Sequence, residues 1–324
     1  MIYQSAHDIV FEDVFLDLGG LVPDVRLLVK LEGLNPAGSI KLKPAVALVE
    51  SLEAQGLRQG QRVIESSSGN LGIALSAVCA AKGYELTVVT DPNATPAAVR
   101  TMEALGARVV VISERDGNGG YLASRIAFIM AAIARDPDLM WPNQYANPAN
   151  CAAHHQRTAL GIHREVPHAD VLVIGVGTTG TLMGCLSYYR EHSPATRVVA
   201  VDAEGSVLFG GPSGKRHIPG LGVSRVPEIF TDTGTFEKVV VPETETIEMC
   251  RLVARRHGLL VGGSTGTVLA GVRRIAPTLP VGATVVAVSP DLGERYLDSV
   301  YSDSWVAERY PDANVVPKER WAIV

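Results

Sequence analysis

The chain has 324 residues, 47% of them apolar and 19% charged, a balance that supports a sizeable buried core. With 29 basic against 34 acidic residues its formal charge is −5, which argues against a nucleic-acid-binding face. No apolar run reaches the ~18 residues of a membrane span, Met1 to Phe11 shows no charged-then-apolar leader, and the four cysteines lack CxxC spacing, so a reduced, cytoplasmic setting is expected. The eight histidines include His154-His155 but no metal-ligand spacing, and no metal is expected.

Short β-branched runs alternate with helical patterns along the chain. A strand is predicted at Leu27–Leu31, then a helix at Ala45–Gln55. Strands at Arg62–Glu65, Leu86–Thr90 and Arg108–Ile112 alternate with helices at Leu71–Lys82, Pro96–Leu105 and Tyr121–Arg135. Trp141–Asn150, rich in Asn and Pro and without periodicity, reads as a connection between two α/β units. Beyond it come strands at Val171–Gly175, Val198–Asp202, Lys238–Val241 and Thr284–Ser289, with helices at Gly180–Glu191, Glu245–His257 and Thr265–Ile275. Continuous apolar character marks strands buried on both faces, hence parallel sheets and a doubly wound α/β fold. Phe209–Pro227 carries five glycines and three prolines and reads as a long functional loop.

The most conspicuous motif is ambiguous. Gly175-Val176-Gly177-Thr178-Thr179-Gly180 is a GxGxxG turn between a strand and a helix, and Asp202 ends the next strand. That pattern suits a nicotinamide dehydrogenase, but it requires only an anion at a helix N-terminus. Thr178, Thr179 and Thr181 add hydroxyl donors suited to a phosphomonoester. Upstream, Asn35-Pro36-Ala37-Gly38-Ser39-Ile40-Lys41 places a lysine at a strand-to-helix junction, where a low tendency to protonate favours imine chemistry. Ser66-Ser67-Ser68-Gly69-Asn70 opens a helix as a candidate carboxylate cradle, or as an ordinary cap. Gly262-Gly263-Ser264 precedes another helix, with Ser264 a cap or a partner for a ring nitrogen.

In this order, PxGSxK, SGN, the glycine/threonine loop and the late serine resemble the cysteine synthase/cystathionine β-synthase family of fold-type II pyridoxal 5'-phosphate enzymes. The closing Gly293-Glu294-Arg295-Tyr296 is similar too, and the likeness runs from about Glu12 to Trp305. The resemblance implies two doubly wound parallel-sheet domains. Residues 35–145 would form a smaller mobile one, and 12–34 plus 146–324 a larger cofactor-binding one. It implies a homodimer. It also implies that Lys41 carries the cofactor as a Schiff base and moves the substrate Cα proton, and that Asn70 meets the ring hydroxyl. Gly177, Thr178, Thr179, Gly180 and Thr181 would take the phosphate, and Ser264 would face the pyridine nitrogen. Ser66, Ser67, Ser68, Gly69, Asn70 and Gln144 would hold the substrate carboxylate, leaving Asp202 a structural residue.

Within the family, segments such as Asn143–Asn147, Gly119–Leu122 and Tyr296–Asp303 look most like enzymes of 2,3-diaminopropionate biosynthesis in siderophore and peptide-antibiotic pathways. The implied reaction is β-replacement on O-phospho-L-serine through an α-aminoacrylate. L-glutamate would be the nucleophile and N-(2-amino-2-carboxyethyl)-L-glutamate the product; a cysteine synthase using sulfide is the alternative. Such substrates need local cations. Arg125 is the first candidate, Lys215, Arg216 and Arg225 are others, and Tyr145 is a possible donor. Four positions depart from the pattern: Leu42-Lys43 stands where the family has Asp-Arg, Ala37 where it commonly has glycine, and Gly177 where a diaminopropionate-type relative has serine.

Overall fold

A computed structural model describes residues 2–117 and 119–311; the stretch 312–324 of the larger expected domain lies outside the described residues. In chain order the elements are β1 (Phe15–Asp17), β2 (Val25–Leu31), α1 (Leu42–Ala54), β3 (Arg62–Ser66), α2 (Asn70–Lys82), β4 (Glu85–Thr90), α3 (Pro96–Ala104), β5 (Arg108–Val111) and α4 (Leu122–Arg135). Then come α5 (Ala149–Ala153), a π turn (His154–Ala159), α6 (Leu160–Glu165), β6 (Val171–Gly175), α7 (Gly180–His192), β7 (Arg197–Ala203) and β8 (Glu237–Val241). The last are α8 (Glu243–His257), α9 (Gly263–Ile275), β9 (Ala283–Ser289) and α10 (Asp303–Arg309).

Two sheets form. The larger runs β1-β2-β9-β6-β7-β8 and the smaller β3-β4-β5. All pairings are parallel except β1 with β2, in which Leu16 faces Val29 across an antiparallel edge. Side chains alternate between two buried faces, as a doubly wound sheet requires. Leu27, Val29, Val171 and Val173 join one core with α8 and α9, whereas Leu28, Leu172 and Ile174 join another with α6 and α7. The smaller sheet does the same: Val63 and Val88 pack on α1, α2 and α3, and Ile64 and Val89 on Ile129 of α4.

Each strand and helix read from the sequence is present, with ends shifted by a few residues. Edge strand β1, the helical run from Ala149 to Glu165 and the closing helix α10 were not foreseen. Edge strand β1 has three residues and no alternation long enough to register. The helical run from Ala149 to Glu165 begins inside the expected connection, because Asn147 Oδ1 accepts from Ala149 N at 2.9 Å and starts a helix there. The long loop between β7 and β8 is pinned by its own backbone: Val207 N donates to Val223 O at 3.0 Å and Gly222 N to Val176 O at 3.1 Å.

Candidate active site

The segments carrying Lys41, Ser66–Asn70 and Gly177–Thr181 leave the carboxyl ends of parallel strands β2, β3 and β6, where open α/β sheets place their ligands. Asn35 builds the turn before Lys41. Its Nδ2 donates to Glu32 O and Ser39 O at 2.8 and 2.9 Å, and its Oδ1 accepts from Ala37 N at 3.0 Å. Gly38 has φ +66°, which only glycine adopts freely, whereas Ala37 does not need positive φ. A bridge from Ser39 to Asp291 ties this turn to the end of β9. Lys41 caps α1, and its Nζ donates to Thr178 Oγ1 at 3.5 Å. Its side chain keeps partial solvent contact, yet desolvation of the ammonium lowers its pKa from 10.5 to about 8. Burial, rather than the helix dipole, is the cause.

The turn between β6 and α7 is built for close approach. Thr179 sits at φ 69°, a left-handed conformation that swings the first N–H groups of α7, which have no intrahelical acceptor, toward one point. A Cβ on Gly180 would meet Asn150 Oδ1 at 2.1 Å, and one on Gly177 would meet Gly220 O at 2.9 Å. Asn150 Nδ2 donates to Gln144 O at 2.8 Å and to Thr178 Oγ1 at 3.2 Å, bracing the turn from below. Buried Thr179 Oγ1 and Asn150 Oδ1 have no hydrogen-bond partner among the described residues. Ser264 arrives at the same place, since a Cβ on Gly220 would lie 2.2 Å from its Oγ.

Asn70, at the start of α2, is held at both ends of its amide. Its Nδ2 donates to Asp291 Oδ2 at 2.7 Å, and its Oδ1 accepts from Arg295 at 2.6 Å. One Nδ2 proton is left for a ligand. The serines before it divide their roles. Ser67 Oγ accepts from Gly72 N at 2.9 Å and caps α2, Ser66 Oγ is buried without a partner, and Ser68 is half-buried. Gln144 Nε2 donates to Ser66 O at 2.9 Å. Behind them buried Glu65 accepts from Ser66 N, Trp141 Nε1 and Gln144 N at 2.7, 3.0 and 3.2 Å, while burial raises its carboxyl to about 7.

Arg125 and Tyr145 form a second group beside the carboxyl end of β4, the central strand of the smaller sheet. Arg125 is buried and its Nη1 faces Asp91 at 3.3 Å as an ion pair, but neither Nη1 nor Nε makes a hydrogen bond among the described residues. Arg125 also acts electrostatically on Tyr145, whose phenol burial pushes up. The other cations are differently used. Arg216 donates to Gly205 O and to Ser224 Oγ, stapling the long loop. Arg225 pairs with Glu228 at the surface, and Lys215 is exposed. Sequence reasoning missed Glu65, Asn150, Asp291 and Gly220. The Asn-rich segment hinted at Asn150, the Gly-Glu-Arg-Tyr tail at Asp291 and the glycine-rich loop Phe209–Pro227 at Gly220, while nothing marked Glu65.

A desolvated lysine and a left-handed turn with orphaned hydroxyl and amide groups, packed too closely for any side chain at Gly177 or Gly180, suit a phosphorylated, carbonyl-bearing cofactor. Fold and site together define a pyridoxal 5'-phosphate enzyme. The chain belongs to the family described as pyridoxal-phosphate dependent enzyme, whose model matches residues 16–291. It is 42% identical over 284 residues to an N-(2-amino-2-carboxyethyl)-L-glutamate synthase of Ralstonia nicotianae, covering 87% of this chain and 84% of that one. A protein of the same name from Cupriavidus metallidurans is 41% identical over 293 residues, covering 88% and 85%. Among solved structures, O-ureido-L-serine synthase superposes with a TM-score of 0.86 at 30% identity, covering 95% of this chain and 100% of that one.

Proposed function

We propose that the chain catalyses β-replacement on an O-activated L-serine, O-phospho-L-serine, with the amine of L-glutamate as nucleophile. The product is N-(2-amino-2-carboxyethyl)-L-glutamate, a precursor of 2,3-diaminopropionate. The names of two relatives at about 42% identity suggest this product. The observation that carries the reading to this chain is Arg125, a buried guanidinium beside Tyr145 that is ion-paired with Asp91 and has two nitrogens without a hydrogen bond among the described residues. Sulfide needs no such cation, whereas a nucleophile or leaving group bearing several negative charges does.

When bound, the cofactor supplies the electron sink that acidifies the substrate Cα. Lys41 anchors it, removes the Cα proton as the bond from Cβ to the phosphate oxygen breaks, and returns that proton after the glutamate nitrogen has bonded to Cβ. Asn70 would donate to the ring hydroxyl, Ser264 would face the ring nitrogen, and Gly177, Thr178, Thr179, Gly180 and Thr181 would hold the phosphate. Ser66, Ser67, Ser68, Gly69, Asn70 and Gln144 cradle the substrate α-carboxylate, with Arg125 and Tyr145 taking its further charges. The segment 35–145 acts as a smaller domain closing over substrate, against a larger one from 12–34 and the chain from 146 onward. The assembly is a cytoplasmic homodimer; the four free cysteines fit a reducing compartment.

The test is product identity by mass after feeding O-phospho-L-serine with glutamate or with sulfide. Product with glutamate supports the reading, and product with sulfide alone overturns it. Arg125→Ala should raise KM for the charged substrates ~10–100-fold, the loss of one charge-assisted contact.

A further inference from the structure

Lys43 stands where related enzymes have arginine, and its surroundings explain what it does. It is buried with Lys30 and Glu32. Its Nζ reaches Glu12 at 2.5 Å, Glu32 at 2.8 Å and Thr158 Oγ1 at 3.4 Å, so all three ammonium protons are engaged. Lys30 lies 3.5 Å from Glu32 and donates to Glu12 O, and Arg157 pairs with Glu12 at 2.8 Å. From this cluster a chain of contacts runs to the cofactor turn. His154 Nδ1 lies 3.1 Å from Thr158 Oγ1, and His154 Nε2 lies 3.3 Å from Thr181 Oγ1. His154 and Thr158 are both fully buried, and they belong to the π turn, a helix distortion that recurs at functional sites.

The direction of each hydrogen bond follows from the one before. An ammonium only donates, so Thr158 Oγ1 accepts from Lys43. The Thr158 proton then needs an acceptor, and the partner on the page is His154 Nδ1. Burial, with Lys41 and Lys43 nearby, holds His154 well below its usual pKa and therefore neutral. A neutral imidazole that accepts at Nδ1 carries its proton on Nε2 and donates it to Thr181 Oγ1. That leaves the Thr181 hydroxyl proton free to point at the first turn of α7. The opposite tautomer would make His154 the acceptor and consume the Thr181 proton.

We propose that Lys43, Thr158 and His154 are positioning residues that fix the direction of a hydrogen-bond chain, so that Thr181 always presents a donor to the cofactor phosphate. The inference rests on reading Gly177–Thr181 as the phosphate loop.

The test uses holoenzyme labelled with 15N-histidine, together with the 31P resonance of the bound cofactor and its loss on dialysis. In the wild-type protein His154 should be the Nε2–H tautomer. Thr158→Val keeps the shape but removes the relay. It should produce a mixed tautomer, shift the 31P line and raise the Kd for pyridoxal 5'-phosphate about fivefold, the size of one net hydrogen bond. The Kd for pyridoxal, which lacks the phosphate, should not change. Lys43→Arg should retain the wild-type tautomer, as a merely structural lesion at Thr158 would not explain. An Nδ1–H tautomer in the wild type, or a silent Thr158→Val beside a Thr181→Val that weakens phosphate binding, overturns the wiring alone. A Thr181→Val with unchanged affinity overturns the phosphate-loop reading itself.

Discussion

An amine attacks an aldehyde only when it is unprotonated, and the surroundings of Lys41 decide how often that is. Its pKa is lowered to about 8 by desolvation, and its Nζ meets a threonine hydroxyl rather than a carboxylate. The direction of the effect is unambiguous: the neutral amine is present above about 8 in the folded chain, against 10.5 for an exposed lysine. Capture of pyridoxal 5'-phosphate by the cofactor-stripped chain should therefore accelerate as pH rises to about 8 and then level off. Stopped-flow absorbance of imine formation reads this directly; a rate still climbing tenfold for each pH unit at pH 9.5 would refute it. Lys41→Ala should bind the cofactor without an imine and show no turnover. The neighbouring departure from the family pattern has a similarly local account. Leu42 is fully buried in the core under α1 and α2, a place for an apolar side chain, and the charge falls on Lys43, which faces Glu12 and Glu32.

Elements, rather than single residues, position the substrate side of the site. The segment from Trp141 to Asn147 has no regular structure of its own and is held to the end of β3 by one carboxylate, Glu65. Raised from 4.5 to about 7, Glu65 keeps a proton in the folded chain that it loses in the unfolded chain between those values. The folded state thus binds more protons there, so this group's contribution to stability falls as pH rises from about 4.5 to 7. Between pH 4.5 and 8 the wild type should lose roughly 3 kcal/mol relative to Glu65→Gln, whose side chain does not titrate. Urea unfolding of both proteins at the two pH values measures the gap, and a constant difference would contradict the burial argument. How far such elements were legible depends on range. Strands and helices of the two sheets declare themselves through local apolar runs, and the motifs around Lys41, Ser66 and Gly177 declare themselves through local turn chemistry. Glu65, Asn150 and Asp291 act on groups 79, 28 and 221 positions away, and no local pattern marks such partners. The serine cluster shows the same limit: its sequence suits both a cap and a cradle, and only the fold assigns Ser67 to capping while leaving Ser66 Oγ without a partner.

At the scale of the whole molecule, the chain has two sheets with separate cores, and the proposed cofactor site lies where they meet. Lys41 begins α1, which packs with the smaller sheet's helices, while Thr178 follows β6 of the larger sheet. Polar ties join the halves at several points, among them Asn70 to Asp291, Arg295 to Ala37, Gln144 to Asn150, and Lys43 to Glu12 and Glu32. A ligand joined to Lys41 and seated on the α7 turn adds a link across that junction, and it binds only the folded arrangement. Such a ligand at 100-fold excess over its Kd stabilises by ~2.7 kcal/mol. Because it grips both sides, its effect should fall on cooperativity as well as on midpoint. Calorimetry of the cofactor-stripped chain should therefore show a broadened or double transition, with a calorimetric enthalpy exceeding the van't Hoff value. The holoenzyme should melt in one sharper step at higher temperature. Borohydride reduction, which makes the link to Lys41 permanent, should preserve the single transition even after free cofactor is removed. A stripped chain that melts as cooperatively as the holoenzyme would mean that the packing of α1 against α5, and not the cofactor, couples the two sheets.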